Sequence, residues 1–99
     1  MRVYISGPMT GYSDHNYPAF NAAEDALRLL GHEPLNPARH PAQDSWVGYL
    51  RLDLADVLIA DGVALLPGWE ASRGAVLEVH VAHALGVPTL PIAAWKTAA

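Results

Sequence analysis

Residues 61–92, DGVALLPGWEASRGAVLEVHVAHALGVPTLPI, carry the fold in one stretch. Asp61 to Leu66 is a short apolar run ending at Pro67-Gly68, the pattern of a buried strand that runs into a loop. Ser72 to Leu85 then repeats apolar residues at three- and four-residue intervals, a helix that begins at a serine and stops at Gly86. Val87 to Ile92 reads as the next strand. Two strands joined by such a helix run parallel, because the crossover returns the chain to the end of the sheet where it started.

The same alternation reaches back to the N-terminus. Arg2 to Ser6 is a short β-branched run closed by Gly7-Pro8, and Met9 to Tyr17 is polar and turn-rich. Phe20, Ala23, Leu27 and Leu30 then recur with helical period, and Gly31 supplies the stop. His32 to Asn36 reads as a second strand, and Pro34, Pro37 and Pro41 around it make an irregular linker. From Asp44 a second helix places Trp46, Tyr49, Leu50, Leu54, Val57 and Leu58 on one side. The order β-α-β-α-β-α-β predicts an α/β three-layer sandwich. It is a flavodoxin-like or Rossmann-like parallel sheet of four to five strands with helices on both faces. The 99 residues fit one domain, 1–99. In such sheets ligands bind beyond the carboxyl ends of the strands, so the loops Ser6–Gly11 and Pro67–Gly74 flank the expected mouth.

Composition narrows the partners. Apolar residues make up 52% of the chain and charged ones 16%, which suits a packed core rather than a disordered chain. A net charge of −4, with six basic residues scattered from Arg2 to Lys96, argues against a duplex nucleic acid partner but leaves a small phosphorylated ligand open. Without cysteine there is no disulfide or thiol chemistry. No apolar stretch is long enough for a signal peptide or a membrane span, so a cytoplasmic protein is expected. A domain of this size buries only about 60–68% of the surface its unfolded chain exposes, so a homodimer or higher homo-oligomer is expected too.

Several polar residues resist a purely structural account. At about 100° per residue, Glu78 falls with Gly74, Ala75, Val81, Ala82 and Leu85 on the apolar side of its helix, while His80 and His83 face the other way. A carboxylate there costs several kcal/mol unless it is paired or neutral, so Glu78 either bonds to a neighbouring strand or is a reactive group. Gly68 to Gly74 leads a strand end into a helix start, where free N–H groups favour an anion. Ser72 serves there as N-cap or phosphate donor, Gly74 allows close backbone approach, and Arg73 offers its backbone or is a surface charge. Asp53 falls near the apolar side of its helix beside Leu50 and Val57, whereas Asp56 reads as ordinary surface charge. Tyr4 places a hydroxyl within reach of Glu78 or simply fills the core. The loop Tyr12 to Pro18, with Asn16, suits a sugar or base or is a plain polar turn, and Trp69 or Tyr17 is a candidate to stack on a base. No Walker loop, no Gly-x-Gly-x-x-Gly and no His-Glu-x-x-His is present, so neither a metal nor a cofactor is expected.

Taken together, Tyr4-Ile5-Ser6-Gly7-Pro8, Asp53-Leu54 followed eight residues later by Asp61, and Ser72-x-Gly74-x-x-x-Glu78 resemble the nucleoside 2-deoxyribosyltransferase superfamily from Arg2 to about Ile92. The chain is most similar to a short branch in bacteria and their phages that shares the Ile-Ser-Gly-Pro-Met-Thr-Gly opening. The resemblance implies that Glu78 is a nucleophile, that Tyr4 orients it, and that Asp53 binds substrate and protonates the leaving base. It further implies substrate binding by Ser6, Gly7, Asn16, Ser72, Arg73 and Gly74. Superfamily transferases acting on free nucleosides tend to carry aspartate six residues before the glutamate. Relatives that hydrolyse 2′-deoxynucleoside 5′-monophosphates carry serine, as this chain does at Ser72. The implied activity is N-glycosidic cleavage of a (deoxy)nucleoside 5′-monophosphate through a glycosyl-enzyme intermediate. Base exchange between deoxynucleosides and nucleotide binding without catalysis are the alternatives. The chain departs from the superfamily at Glu78-Val79-His80, where Glu-Leu-Gly is usual, and at Pro8 and Thr10, where the nucleotide hydrolases offer serine and arginine.

Overall fold

Arg2–Ser6, strand β1, is buried at four of its five positions, as a strand covered on both faces must be. In the computed structural model, which describes residues 1–97, it is followed by helix α1 (Tyr17–Leu29) and strand β2 (Glu33–Leu35). Helix α2 (Trp46–Ile59), strand β3 (Gly62–Leu65), helix α3 (Arg73–Ala84), strand β4 (Thr89–Pro91) and helix α4 (Ile92–Thr97) complete the order. All strand pairs are parallel and their order is β2-β1-β3-β4. The order reverses between β1 and β3, so their carboxyl ends splay the loops that follow them and open a crevice.

Alternation along the strands sorts the core into two layers. Val3, Ile5, Ala64 and Leu66 face α1 and α4, where they pack on Phe20, Ala23, Leu27 and Trp95. Tyr4, Val63 and Leu65 face the other way, onto Val57 of α2 and Val79 and Ala82 of α3. The expected α/β sandwich with a parallel, Rossmann-like sheet is thus present, with four strands among the described residues. Ser45 caps α2 by accepting from the Gly48 N–H at 3.0 Å, and Ser72 caps α3 by accepting from the Ala75 N–H at 3.2 Å. Gly31 and Gly86 end α1 and α3 at φ of +86° and +71°, where any side chain would be strained.

Three local expectations change. The last strand stops at Pro91 rather than Ile92, and the chain turns into α4. Trp95 of α4 donates its indole N–H to the Val63 carbonyl at 3.1 Å, and its ring would lie 2.6 Å from a Cβ at position 62, which explains the glycine there. The single apolar side expected for α2 is split, because only Val57 is buried while Trp46, Tyr49 and Leu58 are exposed. On α3 Leu85 is exposed and Val79 takes the buried place, since the helix is covered by both the sheet and α2.

The polar segment after β1 folds into a short turn, Ser13–Asn16, in which Asp14, His15 and Asn16 all adopt left-handed backbone with φ between 52° and 61°. Each such residue costs about 1–2 kcal/mol, so the turn needs anchoring. Asn16 provides one anchor by donating its Nδ2 to the Pro8 carbonyl at 2.9 Å.

Candidate active site

The crevice beyond β1 and β3 is a cleft of about 600 Å³. Tyr12, Tyr17, Phe20, Trp46 and Tyr49 supply aromatic walls, and Gly68 and residues Ala71 to Ala75 line it beside them. Glu78 lies at its base, one turn beyond the first residues of α3. Its residue surface is 4% exposed, and Ser6 donates its hydroxyl to Oε1 at 2.8 Å.

Asp53 of α2 also lines the cleft, and its carboxyl meets that of Glu78. Burial first, and the nearby Asp53 charge second, push the Glu78 carboxyl up to about 8. Burial raises Asp53 as well. A buried carboxyl and a half-buried one in contact cannot both ionise cheaply, so the charge of either raises the other's hold on a proton. Tyr4 is fully buried beside them, and burial, then the Glu78 charge, raises its phenol well above the usual range. Its hydroxyl makes no aligned hydrogen bond, so it borders Glu78 without yet gripping it.

Glu78, Tyr4 and Asp53, three residues separated widely in sequence, therefore converge. Gly7, Ser72, Arg73 and Gly74 also line the cleft. A Cβ on Gly7 would lie 2.7 Å from Leu66 Cβ, so only glycine lets the ends of β1 and β3 come this close. A Cβ on Gly74 would meet nothing nearer than Glu78 Oε2 at 4.0 Å, so the start of α3 stands open to the cleft. The Arg73 guanidinium stacks 4.3 Å from the centre of the Trp46 ring.

Two expected binding residues sit elsewhere. Ser6 is almost fully buried and spends its hydroxyl on Glu78, because alternation along β1 turns it under α3 rather than into the cleft. Asn16 is the staple of the left-handed turn and is absent from the cleft wall. Trp69 packs against the core layer of Tyr4 and Val79 rather than offering its ring to a ligand, whereas Tyr17 does reach the cleft. His83 approaches Thr89 Oγ1 at 2.9 Å, and among the described residues no group of three His, Asp or Glu is arranged to hold a metal.

Sequence reasoning missed His40. Its Nε2 lies 2.8 Å from Asp56 Oδ2, and its Nδ1 lies 3.0 Å from Asp53 Oδ1 in an ion-pair contact that is not aligned as a hydrogen bond. Asp56 is thus no free surface charge. The spacing Asp53-x-x-Asp56, which puts two carboxylates on one helix face, was the available signal.

Comparison with known proteins gives the fold its relatives. The chain is similar to a 2-deoxyribosyltransferase from the psychrotolerant bacterium Bacillus psychrosaccharolyticus, at 20% identity and a TM-score of 0.70 over 90% of this chain and 69% of that one. It is also similar to a conserved protein from Enterococcus faecalis V583, at 24% identity and a TM-score of 0.67 over 90% of this chain and 60% of that one. These likenesses show a shared fold. No curated protein matches the chain in sequence. Residues 1–90 match the family described as domain of unknown function DUF4406, and the chain belongs to that family.

Proposed function

We propose that the protein cleaves the N-glycosidic bond of a (deoxy)nucleoside 5′-monophosphate, with Glu78 as nucleophile. The observation that carries this reading is the Glu78–Asp53 carboxyl pair, which lines an aromatic cleft with Glu78 buried against Asp53. Such a pair offers both partners that glycoside chemistry needs, a carboxylate to attack and an acid to protonate. As the proton moves onto Asp53, Glu78 attacks C1′ through an oxocarbenium-like transition state, and the C1′–N bond breaks. The base leaves with the bonding pair and the proton from Asp53. Water then hydrolyses the glycosyl ester, in the manner of a retaining glycosidase.

Ser6 holds Glu78 in line, and Tyr4 donates to it once the carboxylate forms. Ser72, still free to donate its hydroxyl proton while capping α3, binds the 5′-phosphate together with the amides of Arg73 and Gly74. Tyr17 and Trp46 line the cleft and offer their rings to stack on the base. Residues 1–99 act in this reading as one cytoplasmic deoxyribosyltransferase-like domain. A homodimer or higher homo-oligomer covers Val47, Leu58, Ile59, Val76 and Leu85, which are exposed in the single chain. Sedimentation velocity at micromolar concentration checks this part, and a monomer removes it.

Incubation with a panel of 2′-deoxy- and ribonucleoside 5′-monophosphates between pH 5 and 9 tests the reaction, with chromatography to detect free base. Release of base and a 5-phosphosugar is expected, and folded protein that releases no base from any of them ends the proposal. The likeness to a 2-deoxyribosyltransferase favours a second reading, base exchange, in which an added acceptor base is incorporated in place of water.

A further inference from the structure

His40 lies behind the cleft rather than in it, in the loop that follows β2, and its side chain is 15% exposed. That loop is tightly held. Asn36, buried at the end of β2, accepts from the Ala38 N–H at 3.0 Å and donates to Asn21 Oδ1 at 3.0 Å. Arg39 clamps Glu24 of α1, with Nη2 donating to Oε2 at 2.6 Å. The His40 N–H donates to the Pro37 carbonyl at 3.1 Å. With the residues that precede it fixed, the imidazole is delivered against α2.

There it bridges two carboxylates one helical turn apart. Each ring nitrogen faces an oxygen, Nε2 hydrogen-bonded to Asp56 at 2.8 Å and Nδ1 in ion-pair contact with Asp53 at 3.0 Å. Asp53 in turn meets Glu78, and Glu78 accepts from Ser6. A continuous chain therefore runs from Asp56 through His40 and Asp53 to Glu78. The titratable groups facing the Asp53–Glu78 pair are Tyr4 from β1, Asp56 from α2 and His40. Of these only the imidazole can carry positive charge, and Arg73 at the cleft wall lies against Trp46.

The geometry points to His40 as a positioning residue of the reaction, one that fixes Asp53 and offsets its negative charge as its proton leaves with the base. This inference rests on the N-glycosidic cleavage proposed above. When the C1′–N bond breaks, Glu78 is esterified, the base has gained the proton, and Asp53 is left as an anion. The ring at 3.0 Å, whenever it carries its second proton, stabilises that anion and makes Asp53 the stronger acid. Asp56 holds the ring from behind, as an outer carboxylate orients a working imidazole.

His40→Gln removes the charge and leaves the cleft wall untouched. The kcat for base release is expected to fall by about tenfold, part of the 10²–10⁴ that a positioned proton donor contributes, with KM nearly constant. The pH–rate profile shifts to higher pH, because carboxyls that lose a cationic neighbour keep their protons longer. A merely structural His40 would lower the melting temperature and leave the profile in place. Carbon NMR titration of the Asp53 and Glu78 carboxyls in ligand-free protein gives a readout independent of turnover. Their titration moves upward in His40→Gln, and an unmoved titration in folded protein overturns the inference. If His40→Gln fails to fold, nitrogen NMR of the wild-type ring decides. A Nδ1 resonance that moves with the Asp53 carboxyl titration is expected, and a ring nitrogen indifferent to that titration overturns the inference. Wild-type protein inactive on every nucleotide counts against the reaction alone, since both NMR measurements still report on the contact.

Discussion

Glu78→Gln is expected to abolish base release, by roughly 10⁴-fold or more, and to make the protein more stable at alkaline pH. The two effects share one cause. The amide has the shape of the protonated acid, and it can accept from Ser6 while donating to Asp53, so the buried contacts survive. It cannot attack C1′. In the wild type the carboxyl titrates at about 8 when folded and near 4.5 when unfolded. Between those values the native state holds a proton that the unfolded chain has released, so stability falls as pH rises across the window. The full loss, on the order of a few kcal/mol, is reached above pH 8, and below about pH 4.5 the penalty disappears. Denaturant melts of both proteins from pH 5 to 9 check this: the variant's lead should grow with pH. Parallel curves would mean that Glu78 is not held neutral by its surroundings.

Ser72→Asp is expected to reverse the preference for a 5′-phosphate. Aspartate is as good an N-cap as serine, so α3 should start where it does now and the fold should be undisturbed. A carboxylate about 4 Å from a phosphate charge, at an effective dielectric near 20, costs about 4 kcal/mol. That corresponds to a swing of about 10³ in the ratio of kcat/KM for the monophosphate to kcat/KM for the free nucleoside. Measuring both substrates with both proteins gives the ratio directly. A ratio unchanged by the new charge would place the phosphate away from the start of α3.

The sequence allowed the parallel sheet to be read because β1 and β3 run into Gly7-Pro8 and Pro67-Gly68 and helices α1 and α3 stop at Gly31 and Gly86, signals that act over a few residues. Glu78 stood out by the same local logic, as a carboxylate on the buried side of a helix. The bond from Ser6 to Glu78 was not legible, because its neighbours suggest a binding loop while the alternation along β1 turns its side chain under α3. His40 left no periodic trace. It follows a proline-flanked turn whose path is set by Asn36 and by the Arg39–Glu24 clamp, contacts made with residues 12 to 15 positions away. Helix α4 was missed for a related reason, since six residues carry little propensity and Trp95 is held by its contacts with Gly62 and Val63.

The strand order has a cost in assembly. Val3 pairs with Gly62, and Ser6 with Leu65, although two helices and a strand lie between them in the chain. Such distant pairings close slowly compared with helix formation. Ser6 cannot meet Glu78 until that central seam has zipped. Until those strands pair, the Glu78 carboxyl has neither its Ser6 partner nor its buried surroundings, so the raised pKa of the site belongs to the assembled sheet and not to the helix that carries it.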